Sequence, residues 1–148
     1  MAASSSVLVL ALTNNNLLKL LTSNPSSDRQ YIELGRRPED RIVGMFLDPT
    51  ANHLLVCVRI EKEKVYETFY VPPGASKPTV LKKWKGYRIT SIGWNPEGKR
   101  DFRGTLEILV GTQGGAIFES NIDKDSLCVT PHLLCFASRR LRVTMEKW

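Results

Sequence analysis

The stretch Met45-Phe46-Leu47-Asp48-Pro49-Thr50-Ala51-Asn52-His53-Leu54-Leu55-Val56-Cys57-Val58-Arg59-Ile60 decides the fold class. Two apolar runs flank Asp48-Pro49-Thr50-Ala51-Asn52, residue types that close turns. Pro presets φ, and Asp and Asn side chains bond their own backbone. Each run has the length of a strand and is too short for an ordinary helix. The pattern predicts strands over residues 42–47 and 53–60. The second run is nearly continuous rather than alternating, as a strand covered on both faces requires.

Working outward, the same grammar repeats. Residues 7–12 and 17–22 flank the Asn-rich turn Thr13-Asn14-Asn15-Asn16, where Asn tolerates the left-handed backbone that a tight hairpin needs. A polar loop leads to a short strand at 31–34. Residues 65–71 alternate and stop at Pro72-Pro73-Gly74. Further strands are predicted at 79–84, 88–94, 106–111 and 116–122, separated by Asn95-Pro96-Glu97-Gly98, a charged loop at 99–104 and Thr112-Gln113-Gly114-Gly115. No segment sustains a helical period, so the chain reads as all-β.

The spacing contains an internal repeat. Asp48-Pro49 and Asn95-Pro96 lie 47 residues apart, each after an aromatic-bearing strand and before an apolar one. Val9 to Val56 is also 47 residues, and Val56 to Val110 is 54, the longer interval holding the charged loop. Units of about 40–50 residues with four short strands are the size of β-propeller blades. The expected architecture is an incomplete β-propeller of about three four-stranded antiparallel blades. Propellers close with roughly four to eight blades, so the chain is expected to be part of a longer protein.

Composition excludes several classes. At 148 residues, 42% hydrophobic and 24% charged, the chain is neither disordered nor fibrous. No apolar run approaches the roughly 20 residues of a spanning helix. The run Val7-Leu8-Val9-Leu10-Ala11-Leu12 lacks a preceding Lys or Arg and enters a turn, so it reads as a strand rather than a signal peptide. Cys57, Cys128 and Cys135 form no CxxC pair, and an odd set points to a reduced, intracellular protein. The net charge is +6. Residues 1–60 hold six basic and five acidic side chains, 61–128 eleven and nine, and 129–148 four and one. Read along the chain, the body is nearly balanced and does not point to nucleic acid.

Several motifs appear in a fixed order. They are Met45-Phe46-Leu47-Asp48, His53-Leu54-Leu55, Trp84-Lys85-Gly86 and Ser91-Ile92-Gly93-Trp94-Asn95, followed by Ile108-Leu109-Val110-Gly111-Thr112 and Gly115-Ala116-Ile117-Phe118-Glu119. In this order and spacing, over roughly residues 5–125, the chain resembles the N-terminal propeller region of the deep-orange family of vacuolar protein sorting proteins. The resemblance implies a subunit of the class C core shared by the HOPS and CORVET tethering complexes, which act before fusion of late endosomes with lysosomes or vacuoles. It also implies other class C core subunits as partners, with fusion machinery, and a cytoplasmic protein held peripherally on those membranes. Family members continue into an α-solenoid and a zinc-binding RING-type domain, for which no ligand set occurs in this sequence. Residues 129–148 match nothing in the family. The expected division is a partial propeller over 1–128 and a divergent, poorly ordered tail over 129–148, consistent with a misread exon boundary.

Catalytic chemistry finds no constellation to occupy. His53 opens an apolar strand and reads as structural, and His132 falls in the divergent tail. The segment Gly111-Thr112-Gln113-Gly114-Gly115 lacks the Gly-Lys-Ser/Thr ending of a phosphate loop and reads as a hairpin turn. Glu61/Glu63 and Asp123/Asp125 lie among lysines and read as solvated surface. No catalytic residue, cofactor, metal or small-molecule substrate is expected. One surface stands as a candidate: Lys82, Lys83, Trp84, Lys85 and Arg88, basic residues interleaved with aromatics. Such a patch suits single-stranded nucleic acid or an anionic membrane, the alternative function for this chain. The competing reading has Trp84 packed inward and the lysines in solvent.

Overall fold

The computed structural model describes residues 1–4, 6–24, 28–95 and 105–122, together with the backbone of a strand at 132–136. Among these residues, twelve strands form three four-stranded antiparallel sheets. The first sheet holds β1 (Ala2–Ala3), β2 (Val7–Ala11), β3 (Leu17–Leu21) and β4 (Arg29–Ile32). The second holds β5 (Arg41–Leu47), β6 (Leu54–Ile60), β7 (Val65–Val71) and β8 (Thr79–Val80). The third holds β9 (Ile89–Gly93), β10 (Ile108–Thr112), β11 (Ala116–Ser120) and β12 (His132–Phe136). Within each sheet the spatial order is the chain order, so every sheet is a simple meander. The first strands of successive sheets touch, β1 against β5 and β5 against β9. Three sheets meeting along their first strands are three propeller blades, as the sequence pattern predicts.

The cores lie between the sheets. Val7, Val9, Leu17, Ile32 and Leu34 of the first blade pack with Leu54, Val56, Val58, Phe69 and Val71 of the second. Leu55, Cys57, Tyr70 and Trp84 pack with Ile89, Ile108, Val110, Ala116 and Phe118 on its other side. Successive residues of a strand point to opposite faces, so β6 sends Leu54, Val56 and Val58 one way and Leu55 and Cys57 the other. That is the physical reason for the unbroken apolar run.

The faces also correct the repeat register. Val9 and Val56 are both fully buried, but they share one cluster, pointing at each other's blade from opposite sides. Val56 and Val110 each face the preceding blade and are true equivalents. The 47-residue interval from Val9 therefore misses the blade register by one residue, which flips every side chain to the other face.

Other departures are local. The expected strand at 79–84 is only β8, because the chain then coils into a 3-10 turn, Lys82–Trp84. The Leu81 N–H donates to the Thr68 carbonyl at 2.8 Å, and the Trp84 N–H to the Leu81 carbonyl at 3.1 Å. This winding swings Trp84 into the apolar interface between the second and third blades. Gly86, at φ +91, turns the chain back so that its N–H reaches the Tyr66 carbonyl at 2.8 Å. Ala2–Ala3 completes the first sheet, an edge strand too short to give a sequence signal. β12 lies beyond the expected boundary at 128 and covers the open edge of β11. The Pro96–Gly98 part of the expected turn, the loop 99–104, Asp123/Asp125, Cys128, the side chains of His132 and Cys135, and residues 137–148 lie outside the described residues.

Candidate functional site

In a four-stranded meander, the middle hairpin turn shares one end of the blade with the linkers entering and leaving it. Residues 61–64, between β6 and β7, therefore lie at the same end as the linkers 33–40 and 81–88. The hydrogen bonds follow that topology. Asn15, in the β2–β3 turn at φ +61, donates its Nδ2 to the Arg37 and Asp40 carbonyls, both at 2.7 Å. The Asp40 carboxylate accepts the Arg37 N–H at 3.2 Å and the Glu61 N–H at 3.0 Å. Two hairpin turns from different blades are thus tied through one linker.

Ion pairs extend this seam. Arg36 reaches Glu67 at 3.2 Å while its guanidinium lies 4.7 Å above the Phe69 ring, a favourable cation–π placement. Glu67 is also 3.7 Å from Lys85, and Lys85 is 3.3 Å from Glu63. Glu61 receives Arg59 at 3.3 Å and Arg41 at 3.7 Å. The Lys85–Glu63 pair, with both side chains about half exposed, adds little stability. Its value is positional, because it holds the 81–88 linker against the β6–β7 turn.

The five candidate residues are therefore split by the fold. Trp84 is fully buried, and its Nε1–H has no hydrogen-bond partner. Lys82 and Lys83 are exposed on the 3-10 turn, Lys85 joins the Glu63 and Glu67 carboxylates, and Arg88 points Nη1 at Gln113 Oε1, 3.4 Å away. The structure adds Lys62 and Lys64, exposed on the adjoining turn, which the sequence reading did not associate with Lys82 and Lys83. The signal was present in the strand count, since an even number of strands separates linker from linker.

At the other end of the second blade, Asp48 organises the β5–β6 turn. Its carboxylate accepts the His53 N–H at 2.7 Å, the Thr50 N–H at 3.1 Å and the Thr50 hydroxyl. His53 Nδ1 lies 2.7 Å from the Tyr70 hydroxyl, with the two rings stacked at 5.9 Å. Burial lowers the His53 pKa, with nearby Asp48 opposing, and burial raises that of Tyr70, with Asp48 adding to it. Lys19 of the first blade donates to the Ala51 carbonyl at 2.9 Å, and burial lowers its pKa against the pull of Asp48. These groups satisfy one another across a blade interface. Cys57 is buried too, and desolvation pushes its thiol pKa up, away from the reactive thiolate. The 112–115 segment is a hairpin turn, with Gly115 at φ +82 and the Thr112 hydroxyl bridging to the Ala116 backbone. Among the described residues, no group of three or more His, Cys, Asp or Glu could hold a metal ion, and no helix is long and apolar enough to cross a membrane.

Comparison with known proteins follows the same lines as the architecture. The vacuolar protein sorting-associated protein 18 homolog of Danio rerio is 36% identical over 115 residues, covering 78% of this chain and 11% of the relative. The vacuolar sorting protein 18 of Arabidopsis thaliana is 32% identical over 124 residues, covering 84% and 12%. The chain thus spans about a ninth of the length of these curated relatives. No solved structure matches it. Residues 1–133 match the Pep3/Vps18/deep orange beta-propeller domain, and the chain belongs to this family.

Proposed function

We propose that this chain is part of the β-propeller of a non-catalytic scaffold subunit in a HOPS/CORVET-type tethering complex. It would act in vesicle tethering and fusion and in endosome-to-lysosome or vacuole protein transport. The observation that carries the reading is the family match over residues 1–133, on blades whose turns and linker are tied together by Asn15 and Asp40. Propellers of this kind present linkers, turns and sheet edges as protein-binding surfaces. The expected partners are other class C core subunits and fusion machinery, and the expected place is peripheral, on late endosome, lysosome or vacuole membranes. The burial of Trp84 weighs against the nucleic-acid alternative, because single-stranded nucleic acid relies on accessible aromatic platforms.

Affinity purification of the full-length protein from its cells tests this reading. Recovery of the other tethering subunits in stoichiometric amounts is expected. Recovery of nucleic acid alone, with none of those subunits, would overturn it.

A further inference from the structure

Charge that is nearly balanced along the chain is not balanced in space. The segments 36–41, 59–67 and 82–88, which the hydrogen bonds and ion pairs above bring to one seam, hold ten basic and five acidic residues. This excess of five compares with +6 for the whole chain. Every acid of the seam is already engaged. Asp40 is held by two backbone N–H groups, Glu39 pairs with Arg37 at 3.8 Å, and Glu61, Glu63 and Glu67 take Arg36, Arg41, Arg59 and Lys85. The cations left over include Lys62, Lys64, Lys82 and Lys83, all exposed. The Lys85–Glu63 pair joins the two short stretches that carry them.

We infer that this lysine face, Lys62 and Lys64 of the β6–β7 turn with Lys82 and Lys83 of the 3-10 turn, docks on a membrane surface rich in acidic phospholipid. The inference extends the tethering reading and adds a direct lipid contact made by this blade. Three observations favour a lipid surface over an acidic protein. Four of the five excess groups are lysines, point charges that need no fixed carboxylate geometry, whereas arginine forks suit defined anionic partners; the fifth, Arg88, is turned to Gln113. The four lysines sit exposed on two turns joined by the Lys85–Glu63 pair, a placement that presents them together to a broad surface. The neighbouring aromatic that is accessible, Tyr87 at 40% exposure, has the amphipathic ring suited to a headgroup layer.

The test is co-sedimentation of the full-length protein with phosphatidylcholine vesicles, with and without about 30 mol% phosphatidylserine. Lys62, Lys64, Lys82 and Lys83 are changed to Ser together, and Lys77→Ser, at an exposed site outside the seam, serves as control. Binding that needs phosphatidylserine, weakens at high salt, falls roughly fivefold for each lysine removed and survives Lys77→Ser is the expected result. Equal binding to neutral vesicles, or unchanged binding by the quadruple variant, would overturn it. Binding of the face to polyglutamate but not to vesicles would also overturn it, in favour of an acidic protein partner. An unchanged circular dichroism spectrum and intact co-purification of the tethering subunits separate loss of this contact from loss of fold or of complex membership.

Discussion

Leu54 and Leu55 are bonded neighbours that belong to different cores. Leu54 packs among Val7, Val9 and Ile32 of the first blade's cluster, and Leu55 among Ile108 and Val110 of the third's. A single strand therefore carries two interfaces, and β6 is the element through which the first and third blades are coupled. Each interface is a sum of apolar contacts between adjacent sheets, the arrangement in which stability resolves into nearest-neighbour contributions.

The two leucines should accordingly fail in different places. Leu55→Ala and Leu54→Ala each lose about 2–5 kcal/mol of packing in the full-length protein. Hydrogen exchange should show Leu55→Ala exposing amides of Ile108–Thr112 before those of Val7–Ala11, and Leu54→Ala the reverse. Identical exchange patterns for the two variants would contradict separate cores.

Asn15 should be worth more than a turn residue. It combines φ +61 with two buried hydrogen bonds to the linker of the next blade. Asn15→Gly keeps the backbone freedom but leaves two carbonyls without their donor, a cost of about 1–3 kcal/mol. Asn15→Ala adds the left-handed backbone penalty, roughly 1–2 kcal/mol more. Urea unfolding should rank parent above Asn15→Gly above Asn15→Ala. A Gly variant as stable as the parent would show that the side chain contributes nothing.

His53 should make stability depend on pH. Burial holds its folded-state pKa below the ordinary value, so in the window beneath about 6.5 the unfolded chain binds a proton that the folded one resists. Its contribution is complete above that value and is lost as pH falls towards the folded pKa. Thermal melts at about pH 7.5 and 5.5 should therefore diverge in the parent more than in His53→Gln. Equal divergence in both would assign the effect to other groups.

Strand positions were legible wherever a run met a turn residue, as at Asp48-Pro49 or Thr112-Gly115, because local backbone chemistry decides those boundaries. Three things were not. The Lys82–Trp84 coil follows from a tertiary demand, the filling of the blade interface by Trp84, which overrides a strand-like pattern. The blade register was missed by one residue at Val9, because a hydrophobic pattern with leucines and valines on both faces does not distinguish them. Of the candidate surface, Lys82 and Lys83 were legible, but Lys62 and Lys64 join them only through folding, since charge counted along a chain cannot see which turns share an end.

The first blade's outer face carries the last prediction. Leu8 pairs with Leu20 and Leu10 with Leu18, and these four leucines, half-buried, share the face opposite Val9, with Tyr31 beside them at 59% exposure. On the second blade the equivalent face is covered by a neighbour, whereas these four leucines belong to neither buried cluster. Leaving a few hundred Å² of apolar surface uncovered forgoes several kcal/mol at about 25 cal/mol per Å², comparable to the stability of a domain. The isolated 148-residue piece should therefore aggregate or melt without cooperativity. Leu10→Lys with Leu18→Lys should make that piece more soluble by light scattering without loss of its β-sheet circular dichroism, because neither residue belongs to a filled core. The same pair in the full-length protein should destabilise it, since closing a propeller ring sets a further blade against each outer face. A soluble, sharply melting parent piece, unaffected by the two lysines, would mean that three blades suffice and that this face is ordinary surface.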